Sequence, residues 1–144
     1  MCSSDLIEIL PSGIKTKIRG IQTHGGATDL VVTGDRAALN LAHVKSSDLT
    51  RGTVLATPGC LQSSNRILAN ISMTHSTDWI IKNKQRLRFH IGTSEILGRV
   101  SGKKLEKGQS GNMIIDLESP VAVAMDDRFV VRSYSPMEIG RAHV

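Results

Sequence analysis

The stretch QRLRFHIGTSEILGRVSG, residues 85–102, decides the fold class. Leu87, Phe89 and Ile91 alternate with Arg86, Arg88 and His90. This period of two is typical of a β-strand with one buried and one exposed face. After Gly92 the segment SEILGRVSG predicts a second short strand, and two such strands joined by a glycine-containing turn indicate an antiparallel sheet.

The same period extends along the chain in both directions. In IKTKIRG, residues 14–20, Ile14, Thr16 and Ile18 are predicted to face a core, and the basic residues between them face outward. Further strands are predicted in RAALNLAHV (36–44), TVLAT (53–57), RILANISM (66–73), NMIIDLE (112–118), VAVAM (121–125) and DRFVVRS (127–133). Only HVKSSDLTRG (43–52) has weak helical character, and it is predicted to be a polar loop with one turn of helix. Nine or ten short strands predict an all-β protein of antiparallel barrels or sandwiches.

The two termini lack this pattern. MCSSDL (1–6) and EIGRAHV (138–144) can be back-translated into DNA strings that are nearly reverse complements and resemble a common sequencing adapter. We therefore predict that both segments derive from adapter DNA and take no part in the fold. Between them remain 17 basic and 11 acidic residues, a net charge of about +6. This charge suits a phosphate-rich partner, and an ordinary solvated basic surface is the competing interpretation.

Several classes of function find no support in the sequence. Cys60 is the only cysteine outside the termini, so neither a disulfide framework nor a multi-cysteine metal site is predicted. The histidines His24, His43, His75 and His90 are dispersed, and no phosphate-binding loop, zinc-protease motif or nucleophile elbow occurs. No apolar run approaches the roughly 20 residues of a spanning helix, and no secretory signal is present. We predict no catalysis, no metal and no membrane partner.

Four motifs together resemble one protein family. These are GDRAALNLAHV (34–44), RGTVLATPG (51–59), RFHIGTSEILGRV (88–100) and DDRFVVRSYSP (126–136). The first two resemble the second half of domain II in the translational GTPases, and the third resembles the strand pair that opens domain III. The fourth is similar to the selenocysteine-specific elongation factors in particular. The resemblance covers nearly all of residues 7–137.

The resemblance implies two small antiparallel β-barrels of translation-factor type, both truncated. Residues 7–60 would be a domain II barrel without its first hairpin, residues 61–65 a linker, and residues 66–137 a domain III barrel without its last strand. The GTPase domain, with its GTP and Mg²⁺, would lie in the missing part of the parent protein. The implied function is to hold selenocysteinyl-tRNA for delivery to the ribosome in the cytoplasm. An mRNA hairpin would be read only through further, missing C-terminal domains.

The resemblance also implies site residues. Arg36, with Asp35 beside it, matches an arginine of the family's aminoacyl pocket, where a fixed cation would favour an ionised selenol over the neutral serine hydroxyl. The competing interpretation is that Arg36 pairs with Asp35 or caps a turn. Candidates for the tRNA backbone are the strand residues with outward-facing basic groups, namely Arg86, Arg88, His90, Arg128, Arg132, Lys15 and Lys17.

Two alternative functions remain open at this stage. One keeps the family and changes the cargo, giving a general aminoacyl-tRNA-binding elongation or initiation factor. The other is a β-barrel interaction module that binds protein instead of RNA. The scarcity of aromatic residues, 3% of the chain, argues against stacking of single-stranded bases and favours recognition of an RNA backbone.

Overall fold

The computed structural model describes residues 6–23, 25–133 and 138–144. The chain divides into two compact units, residues 1–61 and 62–144. The regular secondary structure of the described residues is β-strand, with no α-helix, which confirms the all-β fold class. A single 3-10 turn at Ser46–Asp48 lies in the segment predicted as a polar loop with one helical turn.

The first unit is an open antiparallel sheet. Its strands are β1 (Leu6–Leu10), β2 (Ile14–Thr23), β3 (Gly26–Thr28), β4 (Ala37–Leu41) and β5 (Val54–Ala56). The strand order is β3-β2-β1-β5, and β4 also pairs with β2. Ile7, Ile18 and Ile21 form one buried cluster in this unit, and Ile9, Leu10, Ala42 and Ala56 are also buried.

Strand β2 departs from the predicted alternation at two points. Thr16 and Ile18 are buried as predicted, but Ile14 is 45% exposed because it lies at the first position of the strand, next to the hairpin turn. A register shift between Ile18 and Gly20 then moves the buried position to Ile21. Such a β-bulge adds one residue to a strand and reverses the faces beyond it.

The second unit is a closed antiparallel barrel. Its strands are β6 (Ser63–Met73), β7 (Arg86–Ile91), β8 (Ser94–Ser101), β9 (Ser110–Ala122), β10 (Arg128–Arg132) and β11 (Glu138–His143), in the order β10-β11-β6-β9-β8-β7. Seventeen buried apolar residues fill the interior. Leu87, Phe89 and Ile91 are among them, as the alternation in β7 predicts. The rings of Phe89 and Phe129 meet edge to face, with centroids 6.2 Å apart.

The prediction that this barrel lacks its last strand is wrong. Residues of β11 pair with β10 on one side and with β6 on the other, and they close the barrel. Gly140 and Ala142 face inward and are buried, because only small side chains fit between the two neighbouring strands. The tail therefore takes part in the fold. The origin of this tail in adapter DNA is a statement about the nucleotide sequence, and it stays a prediction.

The other terminus is described only in part. Residues 1–5 lie outside the described residues, whereas Leu6 opens β1 and pairs with Lys17. Two further predicted boundaries differ in the structure. Strand β6 begins at Ser63, inside the segment predicted as a linker. The first segment predicted before Pro120 and the first two residues of the segment predicted after it form the single strand β9, which ends at Ala122. Strand β9 is bulged opposite Ser64–Arg66, and proline, which lacks an N–H, is tolerated at a bulge.

Candidate nucleic-acid interface

Basic side chains from two neighbouring strands share the outer surface of the barrel. Strand β7 contributes Arg88 and His90, and strand β10 contributes Arg128 and Arg132, because the residues between them face the interior. Arg132 lies directly opposite Arg88 in the sheet, and Val130 lies opposite His90. We call these four basic residues the basic face. The structure thus brings together two pairs of basic residues that are about 40 residues apart in the sequence.

Among the described residues, Glu95 is the carboxylate that contacts the basic face. Its Oε1 lies 2.8 Å from Nη1 of Arg88, and its Oε2 lies 4.0 Å from Nδ1 of His90. Arg128 and Arg132 form no ion pair with any residue that the structure describes. Nε of Arg132 and Nε2 of His90 are buried and have no hydrogen-bond partner within the same described ranges. Among the described side chains, one carboxylate thus contacts this group of four basic residues.

Arg86 lies in the same strand but is held by a carboxylate. Its Nε and Nη2 donate to the two carboxylate oxygens of Glu118 at 2.6 and 2.8 Å. Hydrogen bonding from Arg86 lowers the pKa of the Glu118 carboxyl. The Arg86 guanidinium is therefore less available to a ligand than those of the β10 arginines. Its assignment to the tRNA backbone stays a prediction.

A second ion pair compensates charge on strands β6 and β9. Nε of Arg66 donates to Oδ1 of Asp116. This hydrogen bond lowers the pKa of the Asp116 carboxyl and raises the pKa of the Arg66 guanidinium. The outer surface of the barrel is accordingly divided into a basic part on β7 and β10 and a charge-compensated part on β6 and β9.

Lys15 and Lys17 belong to the first unit. Both are exposed on strand β2 and alternate with the buried Thr16 and Ile18. With Arg19 they line a depression of about 620 Å³ that also exposes apolar side chains. Neither lysine forms an ion pair with a described residue. Their contact with the tRNA backbone stays a prediction.

Arg36 and Asp35 have different surroundings although they are adjacent. The Asp35 carboxylate accepts a hydrogen bond from the N–H of Val32 at 3.0 Å, and its own N–H donates to the Val32 carbonyl at 3.1 Å. Gly34 supplies the positive φ of +99° that this turn requires. The Arg36 carbonyl accepts a hydrogen bond from the Thr23 hydroxyl at 3.1 Å. Asp35 therefore closes a turn and does not pair with Arg36.

The Arg36 side chain borders an open depression. The guanidinium is exposed and makes no hydrogen bond or ion pair with any residue in the described parts of the chain. The depression has a volume of about 590 Å³ and is lined further by Gln22, Thr23, Gly25, Ala37 and Ala38. A cation at such a rim can meet an anionic group that enters the depression.

Two basic residues on the barrel surface are absent from the predicted set. Arg141 and His143 project outward from β11, and with Ser72, Arg128 and Val130 they line a depression of about 440 Å³. Their alternation with Gly140 and Ala142 is the signal of a strand. Sequence reasoning missed them because the tail had been set aside as adapter sequence.

Other kinds of site find no basis in the described residues. Within the described ranges, no group of three or more His, Cys, Asp or Glu residues is arranged to hold a metal ion. The Cys60 thiol is exposed and takes part in no disulfide. No described helix is long and apolar enough to cross a bilayer.

Comparison with known proteins identifies similar chains. The family model described as the β-barrel domain of the selenocysteine-specific elongation factor matches residues 65–144. The selenocysteine-specific elongation factor of Desulfomicrobium baculatum is 35% identical over 135 residues, which are 92% of this chain and 21% of the relative. The chain therefore spans about a fifth of the length of this curated relative.

Two solved structures are similar over almost the entire chain. A bacterial selenocysteine-specific elongation factor, EF-Sec, matches with a TM-score of 0.82 and 25% identity, covering 100% of this chain and 23% of that one. Translation elongation factor SelB from Methanococcus maripaludis, in its apo form, matches with a TM-score of 0.83 and 18% identity, covering 99% of this chain and 36% of that one. At that identity the second likeness concerns the fold.

Proposed function

Because this chain belongs to the family of selenocysteine-specific elongation factors, we propose that its two β-sheet units bind selenocysteinyl-tRNA for delivery to the ribosome. The chain spans about a fifth of its curated relative. Hydrolysis of GTP with Mg²⁺, and reading of an mRNA hairpin, are assigned within this proposal to parts of the family's proteins that the chain does not span. The chain itself contributes binding without catalysis, in the cytoplasm.

The basic face is the observation that carries this proposal. Basic side chains on alternate residues of one strand lie about 6.5–7 Å apart, and neighbouring strands lie about 4.8 Å apart. Like charges directly opposite each other, such as Arg88 and Arg132, destabilise a sheet by roughly 0.2–1 kcal/mol. Glu95 contacts Arg88 and not Arg132. A polyanion that contacts both strands would offset this repulsion, and the phosphates of an RNA backbone are such a polyanion.

The experiment measures the affinity of the 144-residue chain for tRNA as a function of salt concentration. Arg128→Gln and Arg132→Gln each remove one cation from the basic face, whereas Arg66→Gln removes the cation of the Arg66–Asp116 ion pair. Each basic-face variant is expected to lower the slope of log affinity against log salt by about 1, the value for one lost phosphate contact. The Arg66 variant is the matched control because its change in net charge is the same.

Two results would count against the proposal. Equal effects of all three substitutions would mean that tRNA responds to net charge and not to this face. Association that does not weaken as salt rises, or no association at all, would favour the interaction module that binds protein.

Within this proposal, the selenocysteinyl group of the tRNA binds in the depression beside Arg36. A selenol ionises near neutral pH and a serine hydroxyl does not, so a permanent cation distinguishes the two groups by charge. The exposed Arg36 guanidinium, which does not pair with Asp35 and borders this depression, supports this role. Arg36→Ala, made in a longer version of the factor that includes a GTPase domain, is expected to reduce the preference for selenocysteinyl-tRNA over seryl-tRNA. An unchanged preference would instead indicate a general aminoacyl-tRNA factor.

A further inference from the structure

The depression on strands β6, β10 and β11 combines basic side chains with a hydroxyl group. Arg128 lies directly opposite His143, Val130 lies opposite Arg141, and Arg141 lies opposite Ser72. Opposite side chains have Cβ atoms about 4.5–5.5 Å apart, and diagonal neighbours such as Arg128 and Arg141 lie about 7–8 Å apart. Long side chains reach each other across such a diagonal. The donors of three strands therefore converge on one small area of the barrel surface.

The chemistry of the lining is that of an anion site. Two guanidinium groups, an imidazole and a hydroxyl can all donate hydrogen bonds, and none of the residues that line the depression is acidic. Arg128, Arg141 and His143 are exposed, so a ligand reaches them without rearrangement of the barrel. The depression has a volume of about 440 Å³. The half-buried Val130 side chain forms an apolar floor.

From this arrangement we infer a phosphate-binding subsite formed by Ser72, Arg128, Arg141 and His143. As part of an RNA-binding surface it rests on the proposed function, and it extends the basic face by one strand from β10 to β11. Guanidinium groups bind phosphate through charge-assisted, often bidentate, hydrogen bonds, and Ser72 can add a neutral donor. The closing strand then has two roles, because its inward residues complete the barrel and its outward residues bind the anion.

Titration of the isotope-labelled 144-residue chain with inorganic phosphate tests the subsite directly. The experiment follows amide chemical shifts at constant ionic strength, with chloride as the comparison anion. Shift changes are expected at Ser72, Arg128 and residues 141–143, and not at Arg66. Arg141→Gln and Arg128→Gln should each weaken phosphate binding by roughly five-fold, the scale of one exposed charge pair. Arg66→Gln should leave it unchanged.

The outcomes separate this inference from the proposed function. Shift changes spread over all cations, or none at all, would overturn the subsite even if tRNA binds. Localised phosphate binding without any tRNA binding would support the subsite and contradict the proposed function. If tRNA binds, Arg141→Gln should lower its salt slope by about 1, and an unchanged slope would exclude the subsite from the RNA interface. His143→Asn serves as a second outward-facing variant if Arg141→Gln impairs folding, and it should also weaken phosphate binding.

Discussion

Closure of the barrel by β11 can be tested by a substitution at Gly140. This residue is buried between β10 and β6, and a Cβ atom added to it would lie 2.9 Å from the Ser72 carbonyl oxygen and 3.6 Å from Cγ2 of Ile71. Real Cβ atoms essentially never approach a backbone oxygen to under 3.0 Å. Gly140→Ala therefore requires β11 to move away from β6.

The magnitude follows from two opposing terms. Adding a methyl group to a well-packed interior costs about 1–3 kcal/mol. Replacing glycine by alanine restricts the unfolded chain and returns about 0.4–1 kcal/mol. The expected net loss in the free energy of unfolding is about 1–2 kcal/mol. For a unit of this size, at about 4–8 °C per kcal/mol, Tm should fall by about 5–15 °C.

Trp79 makes the measurement specific to the barrel. It is the single tryptophan of the chain and packs against the core of the second unit, so its fluorescence reports the unfolding of that unit. Arg141→Ala is the matched control, because its side chain is exposed on the same strand, and its effect should stay within about 0.5 kcal/mol. Gly98→Ala is the positive control, since its Cβ would lie 2.8 Å from the Asp116 carbonyl oxygen independently of the tail.

One result would refute the reasoning. If Gly98→Ala destabilises the barrel and Gly140→Ala behaves like Arg141→Ala, the tail does not occupy the position between β10 and β6. The barrel would then be open, as the sequence analysis predicted.

Three further predictions concern stability. Phe89→Ala should cost about 3–5 kcal/mol by urea unfolding, because the ring is fully buried, and a loss below about 2 kcal/mol would contradict the core packing. The Asp116 carboxyl has a lowered pKa in the folded chain, so its ion pair stabilises the fold above the ordinary carboxyl pKa and loses this effect as pH falls through the folded value. Arg66→Gln should therefore flatten the decline in stability between about pH 5 and pH 2, and an unchanged pH profile would show that the pair contributes nothing. Amide hydrogens of the second unit, with eighteen buried apolar residues, should exchange more slowly than those of the first unit, with seven, and equal protection of both units would contradict this difference.

Local pattern was sufficient for much of the fold. The alternation in residues 86–91 predicts both the strand and its buried face, because a side-chain period of two is a property of the extended backbone alone. The family resemblance rested on motifs such as GDRAALNLAHV, which are contiguous in the chain. The prediction failed where pairing partners decide the outcome, as at the bulge in β2 and at Pro120 in β9.

The candidate site was less predictable because charge depends on neighbours that are distant in sequence. Arg86 and Arg88 look alike in the sequence, yet Arg86 is paired with Glu118, 32 residues away, whereas Arg88 is paired with Glu95 and lies opposite Arg132. Whether Asp35 would pair with Arg36 or close a turn was likewise undecided until the backbone of residues 32–35 was known.

The sequence by itself determined the all-β class, the inward faces of most strands and the family, because these depend on residue type at fixed local spacing. Only the tertiary structure decided that the tail closes the barrel and that Arg128 and Arg132 share a surface with β7. Both depend on which strands become neighbours when the barrel closes, and the period of a single strand carries no information about its neighbours.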